Sequence, residues 1–227
     1  MRVVITGAAG ILGAAVARAF LSAGASLALM DRAAASQDPL KGMAGSHVFL
    51  DGIDLTDLVQ ARQAMDTAAS KLGGIDVLVN IAGGFRWETV ADGSLETWDF
   101  LYAINLKTAL CACKAALGYL PADTGRIVNV GAAAAAKAGT GMGAYTASKA
   151  GVAKLTEALA EELKDKGINV NAVLPTIIDT PANRADMPKA DFTRWVAPQA
   201  LADVIVFLSS HAARAITGAS ILVAGRV

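Results

Sequence analysis

A chain of 227 residues, 54% hydrophobic and only 18% charged, is long enough to bury a substantial core. Its 20 basic residues are balanced by 20 acidic ones without a basic block, which removes the electrostatic footprint expected of a nucleic-acid or anionic-membrane binder. Small-molecule chemistry in an enzyme subunit is what this composition favours. From the N-terminus, Arg2 to Thr6 is a short β-branched run followed by a glycine-rich turn. Ile11 to Ala23 then repeats Leu12, Val16, Ala19 and Phe20 at helical spacing. Ser26 to Met30 reads as a second strand ended by Asp31, and Val48 to Leu50 as a third. Thr56 to Leu72 is helical, and Ile75 to Asn80 is a strand apolar on nearly every residue, as expected where both faces of a parallel sheet are covered.

Two longer helical patterns follow, Leu95 to Leu120, with a break expected near Tyr102, and Gly143 to Asp165; they flank the strand Gly125 to Val130. Ile168 to Leu174 is a further strand, Gln199 to Ser209 a helix and Ser220 to Val223 a last strand. Strand and helix alternating at this cadence predict an α/β fold, a doubly wound parallel sheet of about seven strands with helices on both faces, in one domain over residues 1–227. Gly131 to Ala138 is nearly all alanine, and propensity alone would make it a helix. The glycines at 131, 139, 141 and 143 and the strand before it argue for a loop at the carboxyl edge of the sheet, where ligands bind in such folds.

Cys111 and Cys113 sit two apart in a helical stretch, where their side chains diverge, so they read as unpaired core or interface residues. No run of about 20 apolar residues occurs, and the chain enters a strand by Val3 without an export-signal pattern, so the cytoplasm is the expected compartment. No metal-ligand pattern stands out.

Gly7, Gly10 and Gly13, with Ile11 and Leu12 between them, open the first helix directly after the first strand. Small residues there let the backbone approach a pyrophosphate, and the helix N-terminus offers free N–H groups and a positive dipole end. Asp31, closing the second strand, can accept hydrogen bonds from ribose hydroxyls and would repel a 2′-phosphate, which favours NAD(H). Arg32 beside it could pair with a phosphate, which keeps NADP(H) open, and Asp31 could also serve as a helix cap. Tyr145 and Lys149 are four apart and share a helical face. A hydride leaving reduced nicotinamide must be matched by a proton, and a nearby ammonium would lower the phenol's pKa from about 10 toward a useful range.

In this order, Thr6 to Gly13, Asp31, Asn80-Ile81-Ala82-Gly83, Asn105 and Tyr145-Thr146-Ala147-Ser148-Lys149 resemble the short-chain dehydrogenase/reductase family over almost the whole chain. The resemblance implies a Rossmann-type fold and a homodimer or homotetramer built through the long helices. It also implies that Asp54 and Leu55 contact the adenine and that Asn80, Ala82 and Gly83 support the cofactor. Pro175, Ile178 and Thr180 would lie along the nicotinamide, and Asn105 would hold a water in a proton relay to Lys149. Taken on their residues alone, Asp54-Leu55 and the 80–83 motif are equally readable as turn chemistry.

One departure stands out. The family's serine thirteen residues before the tyrosine is Ala132 here. Losing that donor would cost an ordinary ketone reductase about 2–4 kcal/mol of transition-state stabilisation. The stretches Gly131 to Tyr145 and Leu174 to Trp195 look like those of dihydropteridine reductases, which also lack the serine and prefer NADH. That likeness implies a quinonoid dihydropterin, an activated acceptor for which one tyrosine suffices. A ketone or 3-oxoacyl reductase, an alcohol dehydrogenase, and a dinucleotide-binding sensor or scaffold that has lost catalysis remain as alternatives.

Overall fold

Runs of β-branched and aliphatic residues become seven strands of one sheet in the computed structural model, which describes residues 1–227. The strands are β1 (Arg2–Thr6), β2 (Ser26–Met30), β3 (His47–Leu50), β4 (Val77–Asn80), β5 (Arg126–Val130), β6 (Asn169–Pro175) and β7 (Ser220–Val223). Their order is β3-β2-β1-β4-β5-β6-β7, and every pairing is parallel. The order reverses between β1 and β4, so the crevice expected to hold a ligand opens beyond Thr6 and Asn80, which pair with each other.

Helices α1 (Ile11–Ser22) and α7 (Pro198–Leu208) cover one face of the sheet. Leu12, Val16 and Phe20 of α1 join Leu201, Ile205 and Leu208 of α7 against Val3, Ile5, Leu27 and Val79. Helices α2 (Leu58–Leu72), α4 (Thr108–Ala116) and α5 (Gly143–Leu163) cover the other face, with Ala61, Met65, Cys113, Leu159 and Leu163 against Val4, Ala28, Leu78 and Ile127. Alternate residues of β1 thus enter opposite cores, which is why the central strands read as uninterrupted apolar runs. Cys111 and Cys113 are free and buried, as expected of core residues.

The expected helix over Leu95 to Leu120 is three pieces: α3 (Leu95–Leu101), a π-helical turn (Tyr102–Lys107) and α4, which ends at Ala116. In place of the break expected near Tyr102 the backbone stays helical and widens into the π turn, which lodges the buried Asn105. Gly131 to Ala138 holds only a single 3₁₀ turn, Ala133–Ala136, so position at the strand end outweighs alanine's helix propensity. A short helix α6 (Pro181–Asp186) was not anticipated. Its signal is Thr180-Pro181, where the Thr180 hydroxyl accepts the Asn183 N–H at 3.2 Å and proline stands at the first helical position.

Candidate active site

The glycine turn is held by close packing that its residue types explain. Gly7 has φ +66°, and a Cβ there would stand 2.7 Å from the backbone nitrogen of Ala82. A Cβ on Gly13 would land on the Gly7 carbonyl oxygen and lie 2.7 Å from Cα of Ala8. At Gly10 the only neighbour of such an atom is the Gly7 oxygen, at an ordinary 3.5 Å. Gly7 and Gly13 are demanded by the fold itself, whereas Gly10 leaves a bare backbone that the protein's own packing does not need. No side chain caps α1 and no acidic residue stands in its first turn, so the N-terminal N–H groups and the positive dipole end remain free for an anion. Ile11 projects outward, 49% exposed, whereas Leu12 packs into the core.

Asp31 lies at the end of β2, and its two oxygens are already engaged. Oδ2 accepts the Ala9 N–H at 2.9 Å, which pins the glycine turn, and Oδ1 accepts the Ala33 N–H at 3.0 Å. A carboxylate has about four lone-pair sites, so further acceptance from a ligand hydroxyl is open. Arg32 beside it is exposed. The Asp54 carboxylate takes the Thr56 N–H and hydroxyl, at 2.9 and 2.8 Å, and these bonds hold it below the usual carboxylate range. Leu55 is buried in the core.

Asn80 is buried and turned into the sheet. Its amide donates to Oδ1 of Asn129 at 2.9 Å, and Asn129 donates in turn to the Thr156 hydroxyl of α5 at 2.9 Å. Its contribution is therefore to fix the strand end from which Ala82 and Gly83 emerge. A Cβ on Gly83 would stand 2.5 Å from Asn105 Oδ1 and 3.5 Å from Lys149 Nζ, so this bare backbone lies between the two polar groups.

Tyr145 and Lys149 lie one turn apart at the start of α5. Lys149 Nζ is buried and donates to the Val130 carbonyl at 2.8 Å, and burial pushes its pKa down to about 8. The Tyr145 ring meets Phe85 edge-on, with centroids 4.9 Å apart at 84°. Burial pushes its phenol up to about 12, opposite to the lowering expected from the lysine. Burial penalises the phenolate, and no charged neighbour offsets that penalty. The phenol thereby keeps its proton throughout the neutral range.

The Asn105 side chain is largely committed to the protein. Oδ1 accepts the Gly84 N–H at 2.9 Å, while Nδ2 donates to the Gly84 carbonyl at 3.1 Å and to the Ser148 hydroxyl at 3.0 Å. The amide locks the 83–85 strand exit against α5, leaving one Oδ1 lone pair for water. Ser148, which also donates to the Tyr145 carbonyl at 2.7 Å, was not singled out from the sequence. Ala132 is buried, 5% exposed, so the serine position presents a methyl group.

On the other side of the crevice Pro175 ends β6, and Ile178 bridges to Val196. Thr180 caps α6, and the Ile178 carbonyl accepts from Asn183 at 2.7 Å. The Thr176 hydroxyl donates to the Ala224 carbonyl at 2.7 Å and ties this segment to the C-terminal residues. An ion pair of Arg184 with Asp179 steadies it further. Two aromatic residues at this edge were also missed, Phe85 and Trp87. Their signal was their place just beyond the Asn80-Ile81-Ala82-Gly83 strand exit.

Known proteins match this architecture. A model described as short chain dehydrogenase matches residues 1–191. D-threitol dehydrogenase of Mycolicibacterium smegmatis is 35% identical over 97% of this chain and 90% of its own length. The 3-oxoacyl-acyl-carrier-protein reductase of Thermotoga maritima is 33% identical over 94% of this chain and 92% of its own. A short chain dehydrogenase from Burkholderia cenocepacia, solved in complex with NADP, superposes with a TM-score of 0.91 at 31% identity, covering 99% of this chain and 96% of its own. With most of its length matched by the family model and its relatives aligned nearly end to end, this chain belongs to the short-chain dehydrogenase/reductase family and is an oxidoreductase.

Proposed function

We propose that residues 1–227 form one dinucleotide-binding domain that uses NADH to reduce a small C=O or C=N acceptor, with a quinonoid dihydropterin as the preferred candidate. The observation that carries this reading is the pairing of a neutral, desolvated Tyr145 with the buried methyl of Ala132. Such a site offers one proton donor and no second side-chain donor at the serine position, which suits an acceptor already activated for reduction. The likeness of residues 131–145 and 174–195 to dihydropteridine reductases supports the pterin. A ketone or 3-oxoacyl reductase or alcohol dehydrogenase is the second reading, favoured by the names of the curated relatives. Intact Tyr145, Lys149 and Asn105 speak against a sensor without catalysis.

The residues present fit a nicotinamide dinucleotide: the unneeded bareness of Gly10, the uncapped α1 and the free first-turn N–H groups suit a pyrophosphate. Gly7, Ile11, Leu12 and Gly13 would form that cradle, Asp31 and Arg32 the ribose side, and Asp54 and Leu55 the adenine side. Ala82, Gly83, Pro175, Ile178, Thr180 and Lys149 would flank the nicotinamide half. The bound cofactor supplies the hydride. Tyr145 Oη gives its proton to the acceptor oxygen or nitrogen, so a hydride and a proton together saturate the double bond. Lys149 steadies the resulting phenolate, and a water on Asn105 returns the proton.

The acceptor is tested by following NADH oxidation with quinonoid dihydropterin, quinones and simple ketones, in wild type and in Ala132→Ser. We expect the pterin to be turned over by both proteins at similar rates, while ketone reduction rises about tenfold or more in the variant, as a developing oxyanion gains a donor. Ketone reduction that exceeds pterin reduction in the wild type would overturn the pterin reading.

NAD(H) preference rests on Asp31, while the similar Burkholderia structure was solved with NADP. Titration should give tighter binding of NADH than NADPH, and Asp31→Ala should narrow the difference. Tighter NADPH binding by the wild type would refute the preference. A homodimer or homotetramer is supported by the exposed Leu95, Trp98 and Tyr102 along α3 and the π turn. Light scattering should show at least a dimer at micromolar concentration, and a monomer alone would refute it. No helix is long and apolar enough to cross a membrane. The two unpaired cysteines support a reducing, cytoplasmic setting.

A further inference from the structure

Two large aromatic side chains stand open at the carboxyl edge beside the proton donor: Phe85 is 52% and Trp87 60% exposed. Neither is a loosely held surface residue. The backbone leading to Phe85 is clamped by the paired hydrogen bonds between Gly84 and Asn105, and the Phe85 ring rests edge-on against Tyr145 at 4.9 Å. The Trp87 indole N–H donates to the Thr140 carbonyl at 2.9 Å, and the Glu88 N–H donates to the Gly141 carbonyl at 2.9 Å. Gly141, at φ +74°, lies against the indole so closely that a Cβ there would enter the ring. These bonds join the segment after β4 to the loop before α5 and present both rings in fixed positions.

Rigid aromatic surface left in water beside a reacting group calls for an apolar partner. The polar inventory of the same spot is small. Ala132 contributes a methyl group, the Thr140 carbonyl already accepts from Trp87 while the Thr140 residue is exposed, and the Tyr145 hydroxyl is the side-chain donor of the residue set against the Phe85 ring. One hydrogen bond fixes the distance of a carbonyl oxygen but leaves the rest of the molecule free to swing, so orientation has to come from shape.

The geometry points to a substrate subsite in which Phe85 and Trp87 hold a planar ring, selecting cyclic carbonyl or imine acceptors over open-chain ones. Ring contacts take over the orienting part that a second hydroxyl plays elsewhere. This subsite rests on the reductase reading above and names the acceptor class of that same site.

Isatin and 2,3-butanedione are both activated 1,2-dicarbonyls, and only the first carries the ketone on a planar fused ring. With NADH, kcat/KM for isatin should exceed that for 2,3-butanedione by about tenfold or more in the wild type. In Phe85→Leu and Trp87→Leu the ratio should fall to about one, chiefly through KM for isatin, and Phe85→Tyr should restore it. An equal loss on both substrates, or a loss confined to kcat, would show that the rings merely prop Tyr145 and would overturn the subsite.

Oxindole keeps the fused ring of isatin without the reducible ketone, so its binding reads the subsite without turnover. It should quench tryptophan fluorescence in the wild type and much less in Trp87→Phe; no quenching in the wild type would overturn the subsite. Quenching by oxindole with no NADH oxidation by any acceptor would sink the reductase reading while leaving the ring site standing. Turnover of both dicarbonyls without a preference for isatin would do the reverse.

Discussion

Tyr145→Phe should lower kcat on the best acceptor by about 10²–10⁴-fold, the range that a positioned general acid contributes. NADH affinity should stay within about twofold in the same variant, because the ring and its edge-on contact with Phe85 are kept. No protein group accepts from the phenol, burial being the sole cause of its raised pKa, so removing the oxygen strands no partner and should not lower the melting temperature. Stopped-flow turnover, cofactor titration and a thermal melt read these three effects separately. Near-wild-type turnover would show that the proton comes from elsewhere, and the roles given to Tyr145, Lys149 and Asn105 would fall together.

The three glycines of the first turn should separate into two kinds when each is replaced by alanine. A Cβ at Gly13 collides with backbone, the Gly7 carbonyl and Cα of Ala8, which cannot rotate away as a side chain could. Overpacking of this sort costs about 1–3 kcal/mol, or roughly 3–10 °C of melting temperature for a chain of this length. Gly10→Ala meets only an ordinary 3.5 Å contact and should melt within about 2 °C of wild type, while binding NADH about tenfold more weakly. Unchanged NADH affinity in Gly10→Ala would remove the pyrophosphate from this turn. A fully stable Gly13→Ala would mean that α1 can slide, which its buried Leu12, Val16 and Phe20 argue against.

The strands were the most legible part of this sequence because β1, β2 and β4 are buried on both faces and carry unbroken apolar runs at their centres. The glycine turn and the Tyr145–Lys149 pair were legible too, since each depends on residue type at short spacing. Other features were set by partners distant in the chain. Ile11 and Leu12 look equivalent in the sequence, yet one is half exposed and the other buried, because only the placement of α1 on the sheet distinguishes them. The commitment of Asn105 to Gly84 and Ser148 joins groups 21 and 43 residues away, respectively. The raised pKa of Tyr145 likewise arises from the enclosure of the cleft, which no spacing of charged residues records.

Asp31 couples two properties usually treated as independent. Its carboxylate is the group expected to discriminate between the two dinucleotides, and it is also the acceptor that ties Ala9 of the glycine turn to the end of β2. A redesign toward the phosphorylated cofactor that simply deletes the charge would therefore loosen the turn meant to receive the new ligand, so both dinucleotides would bind less well at that step. Asn or Ser at position 31 keeps a short oxygen acceptor for Ala9 while removing the repulsion. Variants selected for the switch should accumulate such residues there before any added arginine, because a basic residue introduced onto an unfastened turn has no fixed place from which to meet a phosphate.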